Sequence, residues 1–255
     1  MADGIYEVIR SYDGHLFQLQ QHIERLNYGA KALRFRQTSL EEFIDVAESL
    51  IEMNHLKQCP ATVYLQITRG VAPRSHKLPS SETPLTMYAI PKQLIIDNSE
   101  QEKGISAITV TDQRWERCDI KSISLLLNSL AHQQAIDANA KESIFIRNGF
   151  LTEGSHTNVL MVKDNTIITP PITNHILDGI TRKVVLQICK NCGIDICLSP
   201  IPENELFSAD ELMIVGTTVE ITPVVQLNNQ TIGNGFPGRF TRQLQKSFGD
   251  LTIKD

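Results

Sequence analysis

Apolar and polar positions alternate from the start of the chain, where Ile5, Glu7 and Ile9 interleave with Tyr6, Val8 and Arg10 and predict a strand. Asp13-Gly14 predicts a hairpin turn before Leu16-Phe17. From Gln20 to Leu33 the period changes: Ile23, Leu26, Ala30 and Leu33 recur at helical spacing. A second helix is signalled by Ser39 as its cap, Glu42 three residues on, and the apolar positions Phe43, Ile44, Ala47, Leu50 and Ile51. Val63, Leu65 and Ile67 then alternate with Tyr64, Gln66 and Thr68, the pattern of a half-buried strand, and Arg69-Gly70 opens a loop. Two strand-like runs, 85–90 and 104–111, flank the polar stretch 97–103.

In the second half a short extended segment ends at Lys121, and a helix is expected from there to about Ala138. A strand at 144–146 ends in the Asn148-Gly149 turn, and Glu153 stands at a strand-to-strand corner with Gly154 behind it. Residues 158–162 and 166–169 form a hairpin around Asp164-Asn165, and Gly179-Ile180-Thr181 opens a helix that stops near Gly193. Strands at 212–215 and 220–227 and a basic helix at 237–248 close the chain. This mixture predicts an α+β (mixed α/β) protein of two domains, a small α/β domain at 1–94 and a larger one at 95–255, with the linker near Leu94 to Asp97.

Composition narrows the class. The chain has 255 residues, 41% hydrophobic and 21% charged, enough to bury a substantial core. A net charge of -5 with scattered basic residues argues against a nucleic-acid or anionic-membrane surface. No apolar run approaches the roughly 20 residues that span a bilayer, and the first residues do not read as a signal peptide, so a cytoplasmic location is expected. The five cysteines have no disulfide-framework spacing. Cys189-x-x-Cys192 lies at the end of a helical run without a second pair, and is read as helix packing, not as a redox or metal motif; no metal is expected.

Lys121, where the backbone changes character, and Glu153, in an apolar region, are both costly to bury without a charged partner. A cofactor that forms an imine with the lysine and offers a ring nitrogen to the glutamate supplies both partners. The blocks G-I-Y-E-V-I-R (4–10), H-I-E-R-L (22–26), Q-I-T-R-G-V-A-P-R-S-H (66–76), R-W-E-R-C-D-I-K-S (114–122), L-T-E-G-S-H-T-N-V (151–159), I-L-D-G-I-T-R (176–182) and G-T-T-V-E-I-T-P-V (216–224) carry a resemblance. In this order the chain resembles the fold-type IV pyridoxal-phosphate enzymes, and within them the D-amino acid aminotransferases. That fold has a small α/β N-terminal domain and a larger domain with a mixed, barrel-like sheet.

The resemblance implies pyridoxal 5'-phosphate as cofactor, with Lys121 as Schiff-base lysine and proton shuttle and Glu153 at the pyridine nitrogen. Arg25, Gly179, Ile180, Thr181 and Thr217 match the phosphate anchor, and Leu177 matches the apolar residue against one ring face. A helix start suits the phosphate because its free N–H groups and positive dipole end attract an anion. Tyr6, Arg74 and His76 match the trap for the substrate α-carboxylate, whose two oxygens suit the planar fork of an arginine. The family is dimeric, so Arg74 and His76 are expected to complete the partner's site in a homodimer.

The implied reaction moves an amino group from a D-amino acid of the D-alanine type to a 2-oxo acid such as 2-oxoglutarate. Its rivals are an L-branched-chain aminotransferase, a 4-amino-4-deoxychorismate lyase and a catalytically impaired homologue. The sequence departs from the family in two places. His156 and Thr157 stand where serines are common, and His156 reads as a surface or structural histidine ahead of a new acid/base group. Relatives also carry a strand-containing segment before the first block, so the small domain is expected to lack an edge strand and to fold or dimerise less well, unless translation starts upstream.

Overall fold

A computed structural model describes residues 2–36 and 40–253. Its contacts divide the chain into two units, one running to Ile96 together with Ile120–Leu125, the other comprising Asp97–Asp119 and the chain from Leu126 onward.

The first unit contains β1 (Gly4–Tyr12), β2 (His15–Leu16), α1 (Leu19–Ala32), α2 (Glu42–Met53), β3 (Ala61–Thr68) and β4 (Thr86–Gln93). Asp13 and Gly14 both have positive φ, 47° and 91°, which gives the tight turn between β1 and β2 the twist that a two-residue hairpin needs. The sheet is antiparallel in the order β2-β1-β3-β4. Strand alternation gives it two unlike faces. Ile5, Ile9, Val63, Leu65 and Ile67 are buried in one cluster with Ile23 and Leu26 of α1 and Phe43, Ala47 and Ile51 of α2. Each of these side chains larger than alanine contributes roughly 1.5–3 kcal/mol by leaving water. The opposite face carries Tyr6, Gln66 and Tyr88 in register across β1, β3 and β4. The Ser39 cap expected for α2 lies outside the described residues.

Because β2 covers β1 only at Ser11 and Tyr12, the Gly4–Tyr6 end of that edge needs other partners. Residues 121–123 supply them: Tyr6 N–H donates to the Lys121 carbonyl at 3.0 Å, Ile123 N–H donates to the Gly4 carbonyl at 3.0 Å, and Ile5 bridges Ser122. This corrects the helix expected directly after Lys121. The helix begins only at Leu126, since the intervening backbone is engaged at the strand edge.

The second unit contains α3 (Ser99–Lys103), β5 (Ile105–Thr111), α4 (Leu126–Asp137), β6 (Glu142–Arg147), β7 (Phe150–Gly154), β8 (Asn158–Lys163) and β9 (Thr166–Thr169). It continues with α5 (Ile180–Asn191), β10 (Ile196–Leu198), α6 (Glu203–Leu206), β11 (Glu211–Gly216), β12 (Glu220–Leu227), β13 (Gln230–Thr231) and α7 (Arg239–Thr252). Its mixed sheet runs β10-β9-β8-β11-β12-β5-β6-β7, with β13 paired to β12. β7 passes into β8 through residues 155–157, closed by Gly154 N–H donating to the Thr157 carbonyl at 2.8 Å, so the run from β8 to β7 curls back on itself. Ile144, Leu151, Val159, Met161, Leu212, Ile214 and Val224 fill the core of this unit.

Part of the polar stretch 97–103 is helical, as α3, and β10, α6 and β13 are too short for periodicity to reveal them. Cys189 is buried, with its thiol pushed up to about 11 by burial, while Cys192 is exposed, and both are free. Among the described residues no helix is long and apolar enough to cross a membrane.

Candidate active site

In the first unit the sheet face left uncovered by helices carries the lysine singled out by its surroundings in the sequence. Lys121 Nζ lies 4.3 Å from the centre of the Tyr6 ring, a cation–π contact, and the backbones of the two residues are hydrogen-bonded. Tyr6 stacks on Tyr64 with ring centres 5.6 Å apart, and Tyr64 meets Tyr88 edge-on at 6.4 Å. The Tyr64 hydroxyl donates to Gln66 at 2.6 Å. Lys121 therefore stands at the rim of an aromatic and amide surface held by strand register.

Glu7, the next residue along β1, points the other way and is fully buried. It accepts a bidentate pair from Arg25, at 2.7 Å from Nε and 2.8 Å from Nη2, and a bond from His22 Nδ1 at 2.7 Å. Burial alone would raise the Glu7 carboxyl, but Arg25 and His22 outweigh it and hold it far below the usual range. Burial lowers His22, while the Glu7 carboxylate pulls it the other way. Arg25 is thus fixed in direction by a strand residue that the sequence reading passed over.

Arg74 and His76 are exposed in the loop between β3 and β4. The neck of that loop is tied to the chain around it. Arg69 forks onto Asp3 at 2.6 and 3.0 Å and donates to the carbonyls of Leu33 and Arg34. Gly70 has φ +96°, and a Cβ there would lie 1.9 Å from the Pro84 carbonyl oxygen, so only glycine lets the two ends meet.

The second unit holds Glu153 at the end of β7, with 5% of its surface exposed. Arg114 Nη1 donates to its Oε1 at 2.6 Å, and the Leu177 N–H and Asn158 Nδ2 donate to Oε2 at 3.0 and 3.3 Å. Burial pushes the Glu153 carboxyl upward, while Arg114 and the Leu177 N–H pull against it. Arg114 is in turn held by Asp112, whose carboxyl is brought down to about 2: burial would raise it, and the hydrogen bonds from Arg114 and Arg147 prevail. Asn158 also donates to the Leu177 carbonyl at 3.0 Å, which ties the half-buried Leu177 to the glutamate.

Two residues past Leu177 the backbone enters α5. Gly179 is its cap, with extended φ and ψ of -66° and 132° and no side-chain hydrogen bond to the first turn. A Cβ on Gly179 would lie 1.9 Å from Asn158 Oδ1, so close packing on Asn158 requires the glycine. The first N–H groups of a helix have no intrahelical acceptor, and Gly179 has no side chain to cap them, which suits them to an anion. Thr181, buried in that turn, adds a hydroxyl. Thr217 lies half-buried in the turn between β11 and β12. The structure therefore joins Glu153, Leu177, Gly179, Ile180 and Thr181 through Asn158, and joins Tyr6 to Lys121. A buried carboxylate for a ring nitrogen and an uncapped helix start for a phosphate fit the donor and acceptor set of pyridoxal phosphate.

The model of the class IV amino-transferase family matches residues 4–227. The chain belongs to the class IV aminotransferases. It is 44% identical to a D-alanine aminotransferase of Bacillus licheniformis over 259 aligned positions, covering 100% of this chain and 89% of the relative. Among solved structures it resembles the branched-chain amino acid aminotransferase of Escherichia coli, with a TM-score of 0.89, 27% identity, and coverage of 98% of this chain and 86% of that one. A fold IV transaminase from Curtobacterium pusillum, 22% identical, shares the fold with a TM-score of 0.84 over 96% of this chain and 85% of that one. Fold-type IV, expected from the motif blocks, is therefore the architecture of this class IV aminotransferase. Glu7, His22, Arg114 and Asn158 were not among the residues expected to build the site. All stand inside or beside the motif blocks, and the density of charge in R-W-E-R-C-D between two apolar strands was the available signal.

Proposed function

We propose that this aminotransferase moves the amino group of a D-amino acid, D-alanine among them, to a 2-oxo acid such as 2-oxoglutarate, with pyridoxal 5'-phosphate as its cofactor. The cofactor, when bound, supplies an electron sink for the negative charge left on the substrate Cα. The proposal gives Lys121 two tasks: to hold the cofactor through Nζ, and, as a released neutral amine, to take the proton from Cα. Glu153 keeps a proton on the pyridine nitrogen, and Leu177 packs against the ring. The N–H groups of Gly179, Ile180 and Thr181, the hydroxyls of Thr181 and Thr217 and the guanidinium of Arg25 hold the phosphate.

Tyr6, Arg74 and His76 hold the substrate carboxylate, and Arg74 and His76 do so in the site of a second copy of the chain. A homodimer has support in α4, which exposes Leu126, Leu127, Leu130 and Ile136. A cytoplasmic setting belongs to the same proposal. The observation that carries it is the Lys121 amine held 4.3 Å from the ring of Tyr6, the lysine and tyrosine that the motif blocks match to the cofactor and the carboxylate. The D-configuration draws on the 44% identity to the Bacillus licheniformis enzyme. The likeness to the Escherichia coli branched-chain enzyme favours an L-branched-chain substrate as the second reading.

The absorption spectrum of the purified protein separates the two. Loss of the cofactor's visible band with D-alanine, and not with L-alanine or L-leucine, is the expected result. Bleaching by L-leucine alone would transfer the assignment to branched-chain substrates, and a band indifferent to all three would remove aminotransfer to either class.

A further inference from the structure

Three metal-ligating side chains that the proposed reaction does not use meet at the turn after Glu153. His132 comes from α4, Glu142 from the start of β6 and His156 from the β7–β8 turn, and their ligand atoms all lie within 4.8 Å of one another. His156 Nδ1 is 3.3 Å from Glu142 Oε2, and His132 Nδ1 is 4.0 Å from Glu142 Oε1. The two imidazoles are 5.2 Å apart between ring centres and stand at 87° to each other. In a tetrahedral site with bonds near 2.1 Å, neighbouring ligand atoms are about 3.4 Å apart. The His156–Glu142 Oε2 edge has that length already, and His132 stands 4.0 Å from the other oxygen, Oε1.

The Glu142 carboxylate is 0% exposed. Its Oε1 accepts from the N–H of Ser143 at 2.8 Å, the N–H of Ser155 at 3.1 Å and the Ser155 hydroxyl at 2.5 Å, while Oε2 accepts from the Thr157 hydroxyl at 2.9 Å. All of these donors are neutral. Among the described residues Glu142 pairs with the two histidines, and no lysine or arginine forms an ion pair with it. A divalent ion at this point would add a positive charge that these neutral donors do not supply. The Ser155 hydroxyl lies 3.0 Å from His156 Nδ1 and 3.4 Å from His132 Nδ1, so an ion held by the three side chains would replace its contacts with them.

We propose that His132, Glu142 and His156 form a binding site for a divalent transition ion of the zinc or cobalt class. Two imidazole nitrogens and one carboxylate oxygen suit such ions better than calcium or magnesium, which prefer all-oxygen shells. Both histidines are partly exposed, 41% and 46% at the side chain, which leaves a route for the ion and room for water as a fourth ligand. The bound ion would cross-link α4, β6 and the turn that follows Glu153.

The test is titration of the full-length chain with Co²⁺, following the visible d–d absorption of the bound ion and its displacement by Zn²⁺. A single equivalent with the intense band of a tetrahedral site is expected. Affinity should fall at least about tenfold in each of His132→Ala, His156→Ala and Glu142→Gln, the least that disturbing a metal's surroundings costs. Binding should be unchanged in Cys192→Ser/Cys197→Ser, which removes the exposed thiols. In parallel, Zn²⁺ should raise the melting temperature of the native chain and not that of His156→Ala, whose unliganded melting temperature reports its folding. Absence of the band in the native chain, its survival in either histidine variant, or its loss only with the cysteines would overturn the site and leave a hydrogen-bonded cluster.

Discussion

Glu153 and Glu142 lie in neighbouring strands of the same unit, both nearly or fully buried, and their charge is met in opposite ways. Glu153 faces an arginine that is itself locked by Asp112. Glu142 is held by two amides and two hydroxyls, with half-exposed imidazoles at its edge. The first arrangement fixes a carboxylate in place and balances its charge within the fold. The second fixes the position with neutral donors, and the ion-pair partners within reach are the two half-exposed imidazoles. Burial is common to both carboxylates; the kind of partner is what separates them.

Removing Arg114 breaks the comparison most severely. Arg114→Ala leaves Glu153 and Asp112 buried without their shared cation, and a loss of about 3–5 kcal/mol in unfolding free energy is expected by urea denaturation. Adding Glu153→Gln should recover part of that loss, because the remaining group is neutral. Glu142→Gln is expected to cost much less, about 1 kcal/mol in the same assay. The amide oxygen still accepts from the Ser143 and Ser155 N–H groups, and the two hydroxyls can rotate to accept from its NH₂. Equal losses in the two variants would refute the distinction drawn between the carboxylates.

Acid sharpens the comparison at a smaller scale. The Asp112 carboxyl drops from an ordinary 3.8 to about 2 in the folded chain. Between these values the unfolded chain binds more protons than the folded one, so stability rises with pH. Asp112 thus contributes in full above about 3.8, and its contribution disappears as pH falls through about 2. Melting temperatures measured down this range should fall, and should fall less steeply in Asp112→Asn.

Much of the framework was legible in the sequence. The alternation of Ile5 to Arg10 and of Val63 to Thr68 announced β1 and β3, because a sheet covered by helices on one face imprints a period of two. Gly179 announced the start of α5, since a glycine before a periodic apolar run is a punctuation mark. The segment after Lys121 was misread as helix, because the hydrogen bonds that keep it extended come from Gly4 and Tyr6, more than a hundred residues away. The strands β10 and β13 were invisible for a related reason: each is only a few residues long and exists because a neighbouring strand offers it a ladder.

The sequence by itself therefore determined the class of the fold, the positions of its longer elements and, through the motif blocks, the residues to examine as a site. Only the tertiary structure decided which of them lie in contact. Asn158 clasps Glu153 to Leu177, Glu7 directs Arg25, and Tyr6 receives the Lys121 amine. It also decided that His132, Glu142 and His156, which no spacing rule connects, share one small volume. The physical reason is that local patterns record which face of an element is buried, whereas hydrogen bonds and charge pairs depend on how strands from distant parts of the chain are set in register.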